Sequence, residues 1–127
     1  MLSKILILED SEERIVAFKR VLVGHNIVVC KAVATAIGEL YDNTFDFIFL
    51  DCDLGDGKRM GTEVAQYLSE NPHDEKVVIH SMNPIGQGRM KLLLPDAEII
   101  PFDIFIKALK EPRGFRWAQN MTGNGLN

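Results

Sequence analysis

Five short apolar runs recur along the chain, and between them hydrophobic positions return every three or four residues. Lys4–Leu8 is continuously apolar apart from its first residue, which predicts a strand buried on both faces, as in a parallel sheet. From Ser11 the period changes. Ser11 can cap a helix whose first turn holds Glu12 and Glu13, with Ile15, Phe18 and Leu22 at helical spacing and Gly24 as its stop. Asn26–Ala32 predicts a second strand. Ala34–Tyr41 predicts a short helix with Ile37, Leu40 and Tyr41 on one side. Phe45–Leu50 is the strongest strand, followed at once by the acid- and glycine-rich stretch Asp51–Gly57. Gly61–Glu70 predicts a helix with Val64, Ala65 and Leu68 inward, ended by Asn71-Pro72. Val77–Ile79 predicts the fourth strand, Gln87–Leu94 a helix, and Glu98–Ile100 a short fifth strand. Asp103 can cap a last helix carrying Ile104, Phe105, Ala108 and Leu109. Strands alternating with helices at this spacing predict an α/β fold, a parallel sheet with right-handed crossovers.

Length and composition restrict the picture without choosing a function. At 127 residues, 46% hydrophobic and 25% charged, the chain suits one globular domain, expected over residues 1–111. Residues 112–127, ending in the Gly/Asn-rich Met121–Asn127, are expected to form a partly flexible tail. Two cysteines, Cys30 and Cys52, with no CxxC spacing make no disulfide framework, which predicts a reducing, cytoplasmic setting. The opening residues are too short for a signal peptide, and no stretch approaches the ~20 apolar residues needed to cross a bilayer. A net charge of −4 argues against a dedicated DNA-binding element. The charge is uneven: residues 1–83 hold 8 Lys+Arg against 14 Asp+Glu, and residues 84–127 hold 6 against 4. Seven of the eighteen acids fall in Glu9–Glu13 and Asp51–Asp56, directly after predicted strands.

Ligands of open parallel sheets bind beyond the carboxyl ends of the strands. Three such ends are polar here: Glu9-Asp10, Asp51 with Asp53, and His80-Ser81 with Asn83. Carboxylates gathered there either rise in pKa or share a cation, and oxygen ligands suit Mg²⁺ or Mn²⁺ in company with a phosphate. His80 is expected to face the same crevice as an acid or base. Ser81 and Asn83 can donate to phosphoryl oxygens, and Arg89 can reach a phosphate from the following helix. Lys58 and Arg59 lie in the acidic stretch and either neutralise it or, as the favoured reading, are simply solvated. Other chemistries fail on spacing. The three histidines and two cysteines lack zinc-ligand spacing, and no G-x-S-x-G, G-x-G-x-x-G or Walker string is present.

With these residues in view, the chain resembles the receiver domain of bacterial response regulators over roughly residues 3–111. The resemblance implies the flavodoxin-like fold, a doubly wound five-stranded parallel sheet in the order 2-1-3-4-5. Glu9 and Asp10 match the family's acidic pair, Asp51 its phosphoacceptor, and Gly61 the glycine that begins the third helix. Asp53 matches the position whose backbone carbonyl completes a Mg²⁺ shell. Ordinary receivers carry a Lys that contacts the phosphoryl group just before the proline after strand five; here Ile100 precedes Pro101. The strings Leu50-Asp51-x-Asp53-Leu54-Gly55, His80-Ser81-x-Asn83-Pro84-x-Gly86 and Arg89-Met90 resemble a divergent group, the cyclic-phosphate-processing receivers. Cys52 stands where that group's string has His.

The resemblance implies metal-assisted chemistry on a cyclic phosphate of a nucleotide or RNA end. Asp51 and His80 would be catalytic, Ser81, Asn83 and Arg89 would bind phosphate, and Glu9, Asp10, Asp51 and Asp53 would hold Mg²⁺ or Mn²⁺. Two alternatives stand beside it. One is a signalling receiver phosphorylated on Asp51. The other is a non-catalytic interaction module, of viral or plasmid origin among other sources, that keeps the fold and binds a protein partner. Trp117 and the basic stretch Lys110–Arg116 fit a site wall, a partner surface or a tail equally well.

Overall fold

The computed structural model describes residues 3–54, 60–72 and 74–111. The expectations for the tail after residue 111, including Trp117, and for Lys58 and Arg59 lie outside the described residues.

The elements in chain order are β1 (Lys4–Leu8), α1 (Glu12–Val21), β2 (Asn26–Cys30), α2 (Val33–Asp42), β3 (Phe47–Leu50), α3 (Gly61–Glu70), β4 (Lys76–Ile79), α4 (Pro84–Leu93), β5 (Glu98–Ile99) and α5 (Phe102–Lys110). All pairings are parallel, and the strand order is β2-β1-β3-β4-β5. This is the expected doubly wound α/β topology. The apolar runs become strands because both sheet faces are covered. On one face Leu6, Leu8, Ile48, Leu50 and Ile79 pack beneath α2, α3 and α4; on the other Ile5, Ile7, Phe47, Phe49 and Val78 pack beneath α1 and α5. Phe18, Phe49 and Phe105 form the centre of the second layer, with the Phe49 and Phe105 rings 4.7 Å apart and edge to face.

Several boundaries and faces differ from expectation. Strands β2, β3 and β5 are each shorter than their apolar runs, because pairing stops where the chain leaves the sheet. Helix α4 begins three residues earlier than its pattern, at Pro84, since the Asn83 side chain accepts from the N–H groups of Ile85 and Gly86 and a proline suits the first helical position. Helix α5 begins at Phe102, with Asp103 in its first turn rather than as cap. Tyr41 is 80% exposed, and α2 instead buries Val33, Ala36 and Leu40. Ile104 likewise faces out, and Ile106 takes its place inside.

Two glycines set how closely helices approach the end of β3. A Cβ on Gly61 would lie 1.8 Å from the Asp51 carbonyl oxygen, and one on Gly86 would lie 2.3 Å from Cys52 Sγ. Helices α3 and α4 therefore start directly against the backbone that presents Asp51.

Candidate functional site

Register builds the site. Leu8, Leu50 and Ile79 are paired across β1, β3 and β4, so the next residues of the three strands, Glu9, Asp51 and His80, stand side by side. Backbone bonds extend the ladder through them, from Glu9 N to the Cys30 carbonyl, from Asp51 N to Leu8 and from His80 N to Leu50. Strand alternation then decides direction. Leu8, Leu50 and Ile79 face α2–α4, so the residues that follow turn towards α1 and α5.

Glu9, Asp51 and His80 are 1%, 5% and 0% exposed, and one ligand-capable atom from each lies within 4.8 Å of the others. His80 Nε2 donates to Glu9 Oε1 at 2.9 Å, and the Ser11 N–H donates to Glu9 Oε2 at 3.0 Å. Burial alone would raise the Glu9 carboxyl. The bond and charge of His80, the Ser11 N–H and Arg14 outweigh it and hold Glu9 below the ordinary carboxylate value. Asp51 goes the other way. Burial pushes it up to about 6, with the Glu9 charge adding to the rise against His80, the Cys52 N–H and Arg14. The Cys52 N–H bonds Asp51 Oδ1 at 2.8 Å.

A crevice of about 370 Å³ opens over these strand ends. Among the described residues, Glu9, Asp10, Asp51 and Asp53 supply its acids and Ser81, Met82 and Asn83 the facing wall. Ser81 is buried, and its Oγ accepts from the Asn83 N–H at 3.1 Å. The Asn83 side-chain amide donates to both carboxylate oxygens of Asp53, at 3.0 and 3.3 Å, and ties the β3 and β4 loops together. A larger hollow of about 1170 Å³ lies at the opposite strand ends, around Lys4, Asp46 and Lys76, remote from these groups.

Two of the expected site residues do not line the crevice. His80 does not open on the crevice: it is fully enclosed, with its ring 5.1 Å from Phe18 and 6.4 Å from Phe102, and it joins the cluster through Glu9. Arg89 is exposed on α4 and does not line the crevice, though its charge acts on Cys52 beside Asp51. Cys52 points to the sheet face under α2–α4, fully buried against Gly86. Arg14, which the sequence reading passed over, is a lining residue. Helical side chains lean towards the helix N-terminus, so a first-turn residue three after the Ser11 cap points back at the strand ends; that signal was available.

The fold and these strand-end acids define a receiver domain of the response-regulator type. The chain belongs to the cyclic-phosphate-processing receiver family, whose model matches residues 4–96. Solved receivers share the architecture at low identity. The phosphorylated cyanobacterial phytochrome response regulator RcpA superposes with a TM-score of 0.76 at 21% identity, over 94% of this chain and 96% of that one. A CheY-like receiver domain protein from Methanospirillum hungatei gives 0.77 at 16% identity, over 98% and 100%. The response regulator Rcp1 in its Mn²⁺-bound form gives 0.71 at 20%, over 92% and 95%. No curated protein matches the chain. Among the described residues, no helix is long and apolar enough to cross a membrane.

Proposed function

We propose that the crevice binds a divalent cation and acts on a cyclic phosphate ester, carried by a nucleotide or an RNA end. The observation that carries this reading is the enclosed Asp51 carboxyl beside Glu9, in a crevice whose other wall offers Ser81 and Asn83. The donor set fits a hard cation. Four carboxylates line the crevice against one guanidinium among the described residues, an excess of negative charge that a cation offsets. Asp10, Asp51 and the Asp53 carbonyl would hold Mg²⁺ or Mn²⁺, with Glu9 beside them. Such an ion polarises a phosphoryl oxygen and makes phosphorus more electrophilic.

The chain's own groups supply the rest. The Asp51 carboxylate orients a water and takes its proton while the water oxygen bonds to phosphorus. The bond from phosphorus to one ribose oxygen breaks, that oxygen takes the proton Asp51 accepted from the water, and a phosphomonoester remains. The Ser81 hydroxyl is free to donate because its oxygen, not its hydrogen, meets the Asn83 N–H. His80 anchors Glu9 and does not touch the substrate.

The test is incubation of the purified protein with Mg²⁺ or Mn²⁺ and either 2′,3′-cyclic nucleotides or RNA ending in a cyclic phosphate. Metal-dependent ring opening that is lost in Asp51→Asn is expected. Turnover no greater than that of Asp51→Asn overturns the reading.

A second reading, phosphorylation of Asp51 in a signalling receiver, is favoured by the position of Asp51 at the end of the central strand, beside Ser81 on the next strand. Against it, Ile100 is 8% exposed in the α1/α5 core and supplies no cation. A labile mass increase after acetyl phosphate treatment, absent from Asp51→Asn, would select this reading.

A further inference from the structure

Ile99 pairs with Ile79, so Ile100, the residue that follows β5, stands beside His80, and it turns into the apolar layer under α1 and α5. The strand end that could place a cation against a bound phosphate is hydrophobic. A cation does reach the crevice from another element. Arg14, on the first turn of α1, lines it together with Asp51, Asp53, Ser81 and Asn83. Its guanidinium carbon lies 4.8 Å from the centre of the Phe102 ring, and Phe102 is the first residue of α5, two after Ile100. The side chain is 31% exposed.

We infer that Arg14 is the phosphate-gripping residue of this crevice, held in place by Phe102 and supplying from α1 the positive charge that β5 lacks. The inference rests on the phosphate-binding reading above. Two observations support it. The contact with Phe102 restricts the guanidinium before any ligand arrives, which reduces the ordering cost of binding. Its contact with Glu9 is an ion pair at 3.8 Å, longer than a hydrogen bond, so that contact leaves the N–H donors available. A cyclic phosphodiester has two non-bridging oxygens and one negative charge, which a planar N–H fork matches better than an ammonium does. One guanidinium does not offset four carboxylates, so phosphate is expected to bind only when the cation is present.

The test is calorimetric titration with Mg²⁺ alone, then with inorganic phosphate at saturating Mg²⁺, on wild type, Arg14→Gln, Arg14→Lys and Phe102→Leu. For Arg14→Gln, the phosphate Kd is expected to weaken about tenfold or more. Its Mg²⁺ Kd should hold or tighten, because a positive charge has left the acid cluster. Arg14→Lys should fall between, and Phe102→Leu should weaken phosphate with the charge intact. Phosphate affinity within about twofold of wild type in Arg14→Gln overturns the inference alone. Parallel weakening of both ligands also overturns it, by showing a structural role. A wild-type protein that binds neither ligand overturns this inference and the preceding reading together.

Discussion

Asp51 sits next to a carboxylate that ionises more readily than it does, and both are almost out of water. That arrangement has a direct consequence for stability. In the unfolded chain the Asp51 carboxyl ionises near its ordinary value of 3.8, whereas in the folded protein it resists until about 6. Between those pH values the unfolded state releases its proton first, so folding stability falls as pH rises, and the full penalty applies above about 6. Asp51→Asn removes the penalty and keeps an oxygen for the Cys52 N–H. In chelator at pH 8, Asn is expected to stabilise the protein by about 1–3 kcal/mol. The advantage should close as pH approaches 4. Denaturant melts of both proteins across this range check it, and a gap that is the same at both ends would refute it. Adding Mg²⁺ at pH 8 should raise the wild-type midpoint and leave Asp51→Asn nearly unchanged.

At the scale of elements, the strands were legible because apolar runs buried on both faces leave no other reading, and the acids that end them followed directly. Helix faces were less legible. Helical spacing placed Ile15, Phe18 and Leu22 inside correctly, yet it grouped the exposed Tyr41 with Leu40 and the exposed Ile104 with Phe105, because the direction of a short helix depends on its neighbours. The site was read as strand ends without their facing. Alternation along β4 turns His80 to the α1/α5 side, where Phe18 and Phe102 enclose it. The contact of Arg14 with Phe102 was not legible because the two meet across elements nearly ninety positions apart.

Asn83 joins both problems, since one side chain caps α4 and holds Asp53. Asn83→Ala is expected to cost about 1 kcal/mol through the lost cap. Asn83→Asp should keep the cap but set a second negative charge against Asp53, weakening phosphate and tightening Mg²⁺. Thermal melts paired with the two titrations separate these effects.

For the whole molecule, the sheet divides the work between its two sides. The side of α1 and α5 carries the enclosed His80, the arginine and the aromatic platform, while the side of α2, α3 and α4 closes on the backbone that carries Asp51. The absence of a side chain at Gly86 lets the first turn of α4 rest on Cys52, whose thiol is wholly enclosed and pushed up, first by burial and then by Asp53 and Asp51. A thiol so placed reacts only when that turn lifts away. The alkylation rate of Cys52 therefore times the local opening of the crevice floor, and Cys30, buried beneath α2 with its thiol near 11, serves as an internal reference. Mg²⁺ with inorganic phosphate would join β3 to the β4–α4 turn, and is expected to slow Cys52 labelling by roughly tenfold or more while Cys30 keeps its rate. Equal slowing of both thiols, read by peptide mass spectrometry, would mean that the turn opens only when the whole domain unfolds. Unequal slowing would make a buried cysteine the clock by which occupancy of this crevice is read.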